Sequence, residues 1–268
     1  MGFKGKVAIV TGSSAGIGQA TAEIFATEGA SVTIHGQSEE RLKATADLLK
    51  KLDIPDSRVL VVRGAIEDKQ TQKRLIDETV TKFGRLDILV NNAAVSYHDR
   101  LDPNSLENFD YVMDVNLRSL IALTRMAIPH LAKTKGNVVN ISSVGSQRVI
   151  AISQPYVLTK AALDHFTRNA AVQYAEQGIR VNTVSPGAIR TLFRSRHDIP
   201  EDRKNAIENY VDRMLKNDVP MQRSGSAREV ANVIVFLASD KASYVTGANY
   251  VVDGGVLAGA PTQKVESK

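Results

Sequence analysis

Seven short runs rich in Val, Ile and Leu alternate with stretches of helix length along most of this chain. The runs fall at residues 6–11, 31–35, 58–63, 86–91, 137–141, 179–184 and 248–252. Near-continuous apolar runs of this length suit strands covered on both faces of a sheet. Between them, Ile17, Ala20, Ile24 and Phe25 form one apolar stripe that Gly29 terminates. Leu42, Ala46 and Leu49 repeat the pattern, as do Leu75, Thr79 and Phe83 before Gly84. Ser226-Ala227-Arg228-Glu229 reads as a capping box that opens a helix through Val230, Ile234 and Leu237. Such alternation requires parallel pairing through right-handed crossovers. The expected fold is therefore α/β: a single-domain, doubly wound parallel sheet of about seven strands, with helices on both faces.

A chain of 268 residues fits one such Rossmann-type domain, taken as residues 1–257 with 258–268 as a tail. Residues 188–220 are polar and lack a clear period. Lying between the sixth strand and the last helix, they are expected to form a lid over a ligand at the carboxyl ends of the strands. With 43% hydrophobic and 24% charged residues, the composition is that of an ordinary globular protein. No apolar stretch approaches the roughly 18–20 residues that span a bilayer. Met1-Gly2-Phe3-Lys4-Gly5-Lys6 runs straight into the first strand, so no secretory signal is expected. Lys6 breaks the myristoylation pattern, and Ser267-Lys268 lacks the final Leu of a peroxisomal address. The expected location is cytoplasmic. The absence of cysteine excludes disulfides, thiolate catalysis and Cys-based metal sites. Histidines 35, 98, 130, 165 and 197 show no H-x-x-x-H spacing, so no metal is expected. The net charge of +5 is spread along the chain without a basic run, which argues against a nucleic-acid partner.

Directly after the first apolar run comes Thr11-Gly12-Ser13-Ser14-Ala15-Gly16-Ile17-Gly18. Glycines at a strand-to-helix turn permit close approach of the backbone to a pyrophosphate, whose charge meets the helix N-terminus. No Gly-Lys-Ser/Thr follows, which excludes a P-loop. At the end of the second strand an acidic residue would accept hydrogen bonds from both adenine-ribose hydroxyls and repel a 2′-phosphate. Here the strand ends in Gly36-Gln37-Ser38, with no acid until Glu39. Gln37, Ser38 and Arg41 are left as candidate donors. This predicts NADP(H) as the preferred cofactor, with NAD(H) possible.

Further along, Tyr156 and Lys160 stand at i and i+4 on a stretch that continues convincingly as a helix, so they share a face. A phenol has a pKa of about 10 and is a poor base at neutral pH. A neighbouring ammonium and a cationic nicotinamide both favour the phenolate, which makes it a usable acid or base.

From about residue 5 to 257 the chain resembles the short-chain dehydrogenase/reductase family in its form of roughly 250 residues. Thr11 to Gly18 matches T-G-x-x-x-G-x-G, and Asn91-Asn92-Ala93-Ala94 matches N-N-A-G but for its last residue. Met113-Asp114-Val115-Asn116-Leu117 holds the position of the family's catalytic Asn, and Ser143 lies thirteen residues before Tyr156, as its catalytic Ser does. Pro186-Gly187 with Thr191 matches P-G-x-x-x-T, and Asp253-Gly254-Gly255 the C-terminal signature. The resemblance implies that Tyr156 exchanges a proton with the carbonyl or alcohol oxygen, and that Ser143 holds this oxygen. It also implies that Lys160 binds the nicotinamide ribose and lowers the phenol pKa, and that Asn116 anchors a water linking Lys160 to solvent. The cofactor would then lie against Gly12, Ser14, Gly16, Ile17, Gly18, Asn91, Ala93, Tyr156, Lys160, Pro186, Gly187 and Thr191.

Two departures stand out: Ala94 adds a methyl near the cofactor floor, and Ala65 replaces an Asp that in the family contacts adenine. The implied activity is NADP(H)-dependent hydride transfer between nicotinamide and a carbonyl or secondary alcohol. Alternatives are an NAD-linked alcohol or sugar dehydrogenase, a silent nucleotide-binding scaffold, or another reaction on the same fold, such as epimerisation or dehydration. Val144 to Pro155, Ser96, Tyr97, Leu192 and Phe193 are expected to wall the pocket. Their apolar character points to a neutral substrate of modest size, subject to where Arg148 and Arg190 point. Family resemblance also implies a homotetramer or homodimer; Leu117, Leu120, Leu123, Ala161, Leu163 and Phe166 could bury its seam, and they fit packing within the chain nearly as well.

Overall fold

The computed structural model describes residues 2–149, 153–191, 213 and 215–261. The expected strands form as β1 (Val7–Val10), β2 (Ser31–Gly36), β3 (Val59–Arg63), β4 (Ile88–Asn91), β5 (Asn137–Ile141) and β6 (Arg180–Pro186). Two short strands follow, β7 (Ile189–Arg190) and β8 (Gly225–Ser226), and then β9 (Asn249–Val252). The main sheet has the order β3-β2-β1-β4-β5-β6-β9, and every neighbouring pair is parallel. The order reverses between β1 and β4, so the crevice at their carboxyl ends is the topological switch point where a doubly wound sheet binds ligands.

Residue parity on each strand sets the two layers. Ala8, Val10, Val32, Ile34, Val90, Val139 and Val184 face one side. There they pack against α1 (Gly16–Thr27), α2 (Glu39–Lys51) and α7 (Ala227–Ala238). Ile9, Val62, Leu89, Val138 and Val181 face the other side. That layer is closed by α3 (Lys69–Phe83), α5 (Ser119–Thr134) and α6 (Gln154–Tyr174). Helix α4 (Leu106–Met113) leads into α5 through a π-helical segment, Asp114–Arg118. The caps follow the expected chemistry: Ser226 and Glu229 close a reciprocal capping box, and Gly84 ends α3 in the left-handed region.

The small parallel pairing of β7 with β8 brackets the segment expected as a lid. Most of that segment, and the tail beyond residue 261, lies outside the described residues. The expected seam residues Leu120, Leu123 and Leu163 are fully buried within this chain, and Phe166 packs on the second core layer. Their helix faces look inward because they continue the stripe that covers the sheet. Among the described residues, no helix is long and apolar enough to cross a membrane.

Candidate active site

The glycine-rich turn leaves β1 and enters α1 with its backbone closely buttressed. The Thr11 hydroxyl accepts the N–H groups of Asn92 and Ala93 at 2.9 and 3.0 Å and donates to the Val90 carbonyl. Asn92 returns its side-chain amide to the carbonyls of Thr11 and Gly12. A Cβ added at Gly12 would lie 2.9 Å from Ala93 Cα, and one at Gly18 would lie 2.5 Å from the Gly12 carbonyl oxygen. These contacts explain why glycine stands at both positions. Gly16, at φ +59°, faces the Thr191 side chain across the mouth of the turn.

Helices α2, α3, α4, α6 and α7 are each capped at the N-terminus by a Ser or Asp side chain. Helix α1 has Ala15 at that position, no side-chain cap and no acid in its first turn. A glycine cradle at an uncapped helix start fits a pyrophosphate, which would supply the missing acceptors. Thr191 lines the same mouth, Ser14 lies against Gly36 at the end of β2, and Ile17 packs on the first core layer, with Pro186 and Gly187 at the end of β6. The Gly187 N–H is bonded to the Val252 carbonyl, which ties this edge to β9.

One element of the glycine turn was not expected. His35, at the end of β2, is buried, and its Nδ1 accepts the Gly12 N–H at 3.2 Å. Its backbone also exchanges hydrogen bonds with Ser13. Burial lowers its pKa to about 4, against a smaller opposing effect from the Gly64 carbonyl, so the ring is neutral at ordinary pH. The signal for this role was its position, a polar residue ending an apolar strand beside the glycine turn.

At the far side of the crevice, α6 presents Tyr156 and Lys160 on one face. Pro155 sits in its first turn and the Ser153 hydroxyl caps it by accepting the Tyr156 N–H. Lys160 is 2% exposed, and its Nζ donates to the Ile141 carbonyl at 2.8 Å and lies 5.5 Å from the centre of the Tyr156 ring. Desolvation draws its ammonium down to about 8, opposed by the carboxylate of Asp164 one turn on. Two residues beyond Ile141, Ser143 is buried, and its hydroxyl accepts the Gly145 N–H at 3.1 Å. That leaves the hydroxyl proton able to donate. The ammonium is thus anchored on the last residue of β5, beside the phenol ring and two residues before the Ser143 hydroxyl.

Asn116 sits in the π-helical segment and is fully buried. Its amide accepts the Val95 N–H and donates to the Val95 carbonyl, both at 2.8 Å. A weaker contact of 3.4 Å reaches Thr159, the neighbour of Lys160. The π segment positions this side chain between the loop after β4 and α6, a common use of such bulges.

Other expected residues stand apart. The Asn91 side chain is buried and bonded to Thr124 and Asn140, so its amide serves the β4–β5 pair and faces away from the crevice. Val149, expected in the pocket wall, is 95% exposed. Val144 and Ser96, expected in the same wall, are buried, and Ser153 donates to the Ser96 carbonyl. Ile150, Ala151, Ile152, Leu192 and Phe193 lie outside the described residues. Arg148 is ion-paired with Asp218 at 3.3 Å, and Arg190 is exposed on β7. At the other end of the crevice, Gln37 is exposed, Ser38 caps α2 by accepting the Arg41 N–H, and Arg41 is half-buried. Among the described residues, no cluster of acids and histidines is arranged to hold a metal.

A family model described as enoyl-(acyl carrier protein) reductase matches residues 12–257. The 3-oxoacyl-[acyl-carrier-protein] reductase of Thermotoga maritima is 36% identical, over 96% of this chain and 100% of its own length. An NADPH-dependent aldehyde reductase of Arabidopsis thaliana is 37% identical, over 96% of this chain and 88% of its own. The chain belongs to the short-chain dehydrogenase/reductase family. A short-chain dehydrogenase/reductase of unknown function from Caenorhabditis elegans, solved with cofactor, superposes with a TM-score of 0.90 at 35% identity, covering 96% of this chain and 97% of that one. As a member of this family the chain is an oxidoreductase acting on alcohol or carbonyl groups with a nicotinamide cofactor.

Proposed function

We propose that this enzyme is an NADP(H)-dependent reductase or dehydrogenase of a neutral, modest-size carbonyl or secondary alcohol, with Tyr156 as the acid/base. The observation that carries this reading is the buried Lys160 ammonium, 5.5 Å from the Tyr156 ring centre and hydrogen-bonded at the strand end that leads into Ser143. A cation held at that distance favours the phenolate form, so the phenol can give up a proton and recover it. Ser143 donates to the substrate oxygen and orients it toward the phenol. When bound, the nicotinamide supplies or takes up the hydride at the carbon of that group. Lys160 binds the nicotinamide ribose. Asn116, whose amide is bonded to Val95 and reaches Thr159 beside Lys160, would anchor the water that links Lys160 to solvent.

The cofactor preference rests on Gly36, Gln37 and Ser38, where no carboxylate stands to repel a 2′-phosphate. The neutral substrate rests on Arg148 being held by Asp218, which leaves its charge compensated. Assembly as a homodimer or homotetramer would use the face of the π segment and α5, where Met113, Leu117, Arg118, Ile121, Ala122 and Arg125 line a shallow groove of about 300 Å³. The test is a panel of ketones, diketones, steroids and sugars, followed by loss of NADPH and of NADH. Turnover of neutral ketones with NADPH is expected. Turnover confined to sugars or charged keto acids, or to NADH, would contradict the proposal.

A further inference from the structure

The end of β2 decides how an adenosine ribose is read, and a guanidinium from the next strand lies across it. β3 pairs with β2 in a register that sets Arg63 opposite Gly36. Arg63 Nε donates to the Gln37 carbonyl at 3.1 Å, and a terminal nitrogen pairs with the Glu39 carboxylate. Its own carbonyl accepts from Arg74 at 3.1 Å, which fixes the strand end from below. Beside it, Gly36 presents no side chain, and the Ser14 hydroxyl fills the space where one would stand. The Ser38 hydroxyl accepts the Arg41 N–H and keeps its own proton for donation.

We propose that Arg63 recognises the 2′-phosphate of NADPH, with Glu39 as the counter-ion it releases on binding. The proposal rests on the NADP(H) reading and names the residue responsible. Arginine is suited to this task because its planar group offers several donors to a phosphate while one remains anchored on the backbone. Both Arg63 and Glu39 are largely exposed, with side chains 59% and 78% accessible. Such a surface pair is weakly held and screened by solvent, so exchange of a carboxylate for a dianionic phosphate is favourable. Glu40 and Arg41, in the same first turn of α2, add one charge of each sign. Glu39 therefore restrains the phosphate affinity of the site, and its removal should strengthen it.

The test is calorimetric binding of 2′,5′-ADP and 5′-AMP to the full chain, without turnover. Wild type should bind 2′,5′-ADP roughly ten- to hundredfold more tightly than 5′-AMP, the range of one charge-assisted contact. Arg63→Leu and Arg63→Gln should each abolish most of this ratio while leaving 5′-AMP within about threefold of wild type. Glu39→Gln should raise the ratio, and this gain should vanish when combined with Arg63→Leu. A wild type that prefers 2′,5′-ADP, with both Arg63 variants keeping that preference, would overturn Arg63 and leave the NADP(H) reading standing. A wild type with no preference would overturn both. Equal loss of both ligands in the Arg63 variants would show that Arg63 shapes the loop and does not read the phosphate.

Discussion

His35 Nδ1 accepts the backbone N–H of Gly12 at 3.2 Å, so the first glycine of the cofactor turn is held by a neutral imidazole from the neighbouring strand. Burial lowers that imidazole to about 4, whereas in the unfolded chain it titrates near 6.5. Between those values the unfolded chain binds a proton that the folded chain does not. Stability must therefore fall as pH drops from 6.5 toward 4, by up to about 3 kcal/mol from this group. Below about 4 its contribution levels off. Urea unfolding across this range should show the slope in wild type and a reduced slope in His35→Asn. An unchanged slope in the variant would contradict the assignment.

Lys160 makes the opposite end of the pH range informative. Its ammonium titrates near 8 when folded and near 10.5 when free. Between these values the unfolded chain again holds the extra proton, so the cost of burying the charge is relieved as pH rises. The stability difference between wild type and Lys160→Met should shift in favour of wild type from about pH 8 to 10.5, by on the order of 3 kcal/mol. The same variant should raise the KM for cofactor and lower kcat, because in the proposed mechanism one ammonium serves ribose and phenol. A pH-independent difference would contradict the buried, titrating ammonium.

Conversion to NADH is expected to need two substitutions. A Cβ at Gly36 would lie 2.8 Å from Ser14 Oγ and 2.9 Å from Ser14 Cβ. Gly36→Asp alone should therefore cost about 1–3 kcal/mol through overpacking, visible as a lowered Tm. Ser14→Gly with Gly36→Asp relieves the contact and places a carboxylate against the 2′-phosphate. The ratio of kcat/KM for NADPH to that for NADH should then fall about tenfold or more. An unchanged ratio in a folded double variant would remove the end of β2 as the discriminating site.

Much of this arrangement was legible in the sequence because it depends on local pattern. The strands reproduce the apolar runs, since strands buried on both faces need nearly unbroken Val, Ile and Leu. Tyr156 and Lys160 share a face because helical spacing guarantees it once the helix forms. What escaped the sequence depends on register and on side-chain direction. Arg63 reaches Gln37 only through the β2–β3 pairing, across 26 positions. Asn91 is the last residue of its strand, and parity turns its amide toward Thr124 and Asn140. Leu120, Leu123 and Leu163 read equally well as a seam or as core, and packing on the sheet decided for core. Val149 opens the apolar run Val149-Ile150-Ala151-Ile152 in the sequence, yet its side chain is exposed to solvent.

The central claim is that Tyr156 moves the proton, and Tyr156→Phe tests it most directly. Phenylalanine keeps the ring beside Lys160 and removes only the hydroxyl, so folding and cofactor binding should be retained. With NADPH binding followed by fluorescence and turnover by loss of reduced cofactor, the variant should bind as wild type does. Its kcat should fall by about 10²–10⁴-fold, the range for loss of a general acid. A Tyr156→Phe enzyme that binds NADPH and keeps most of its turnover would contradict the account.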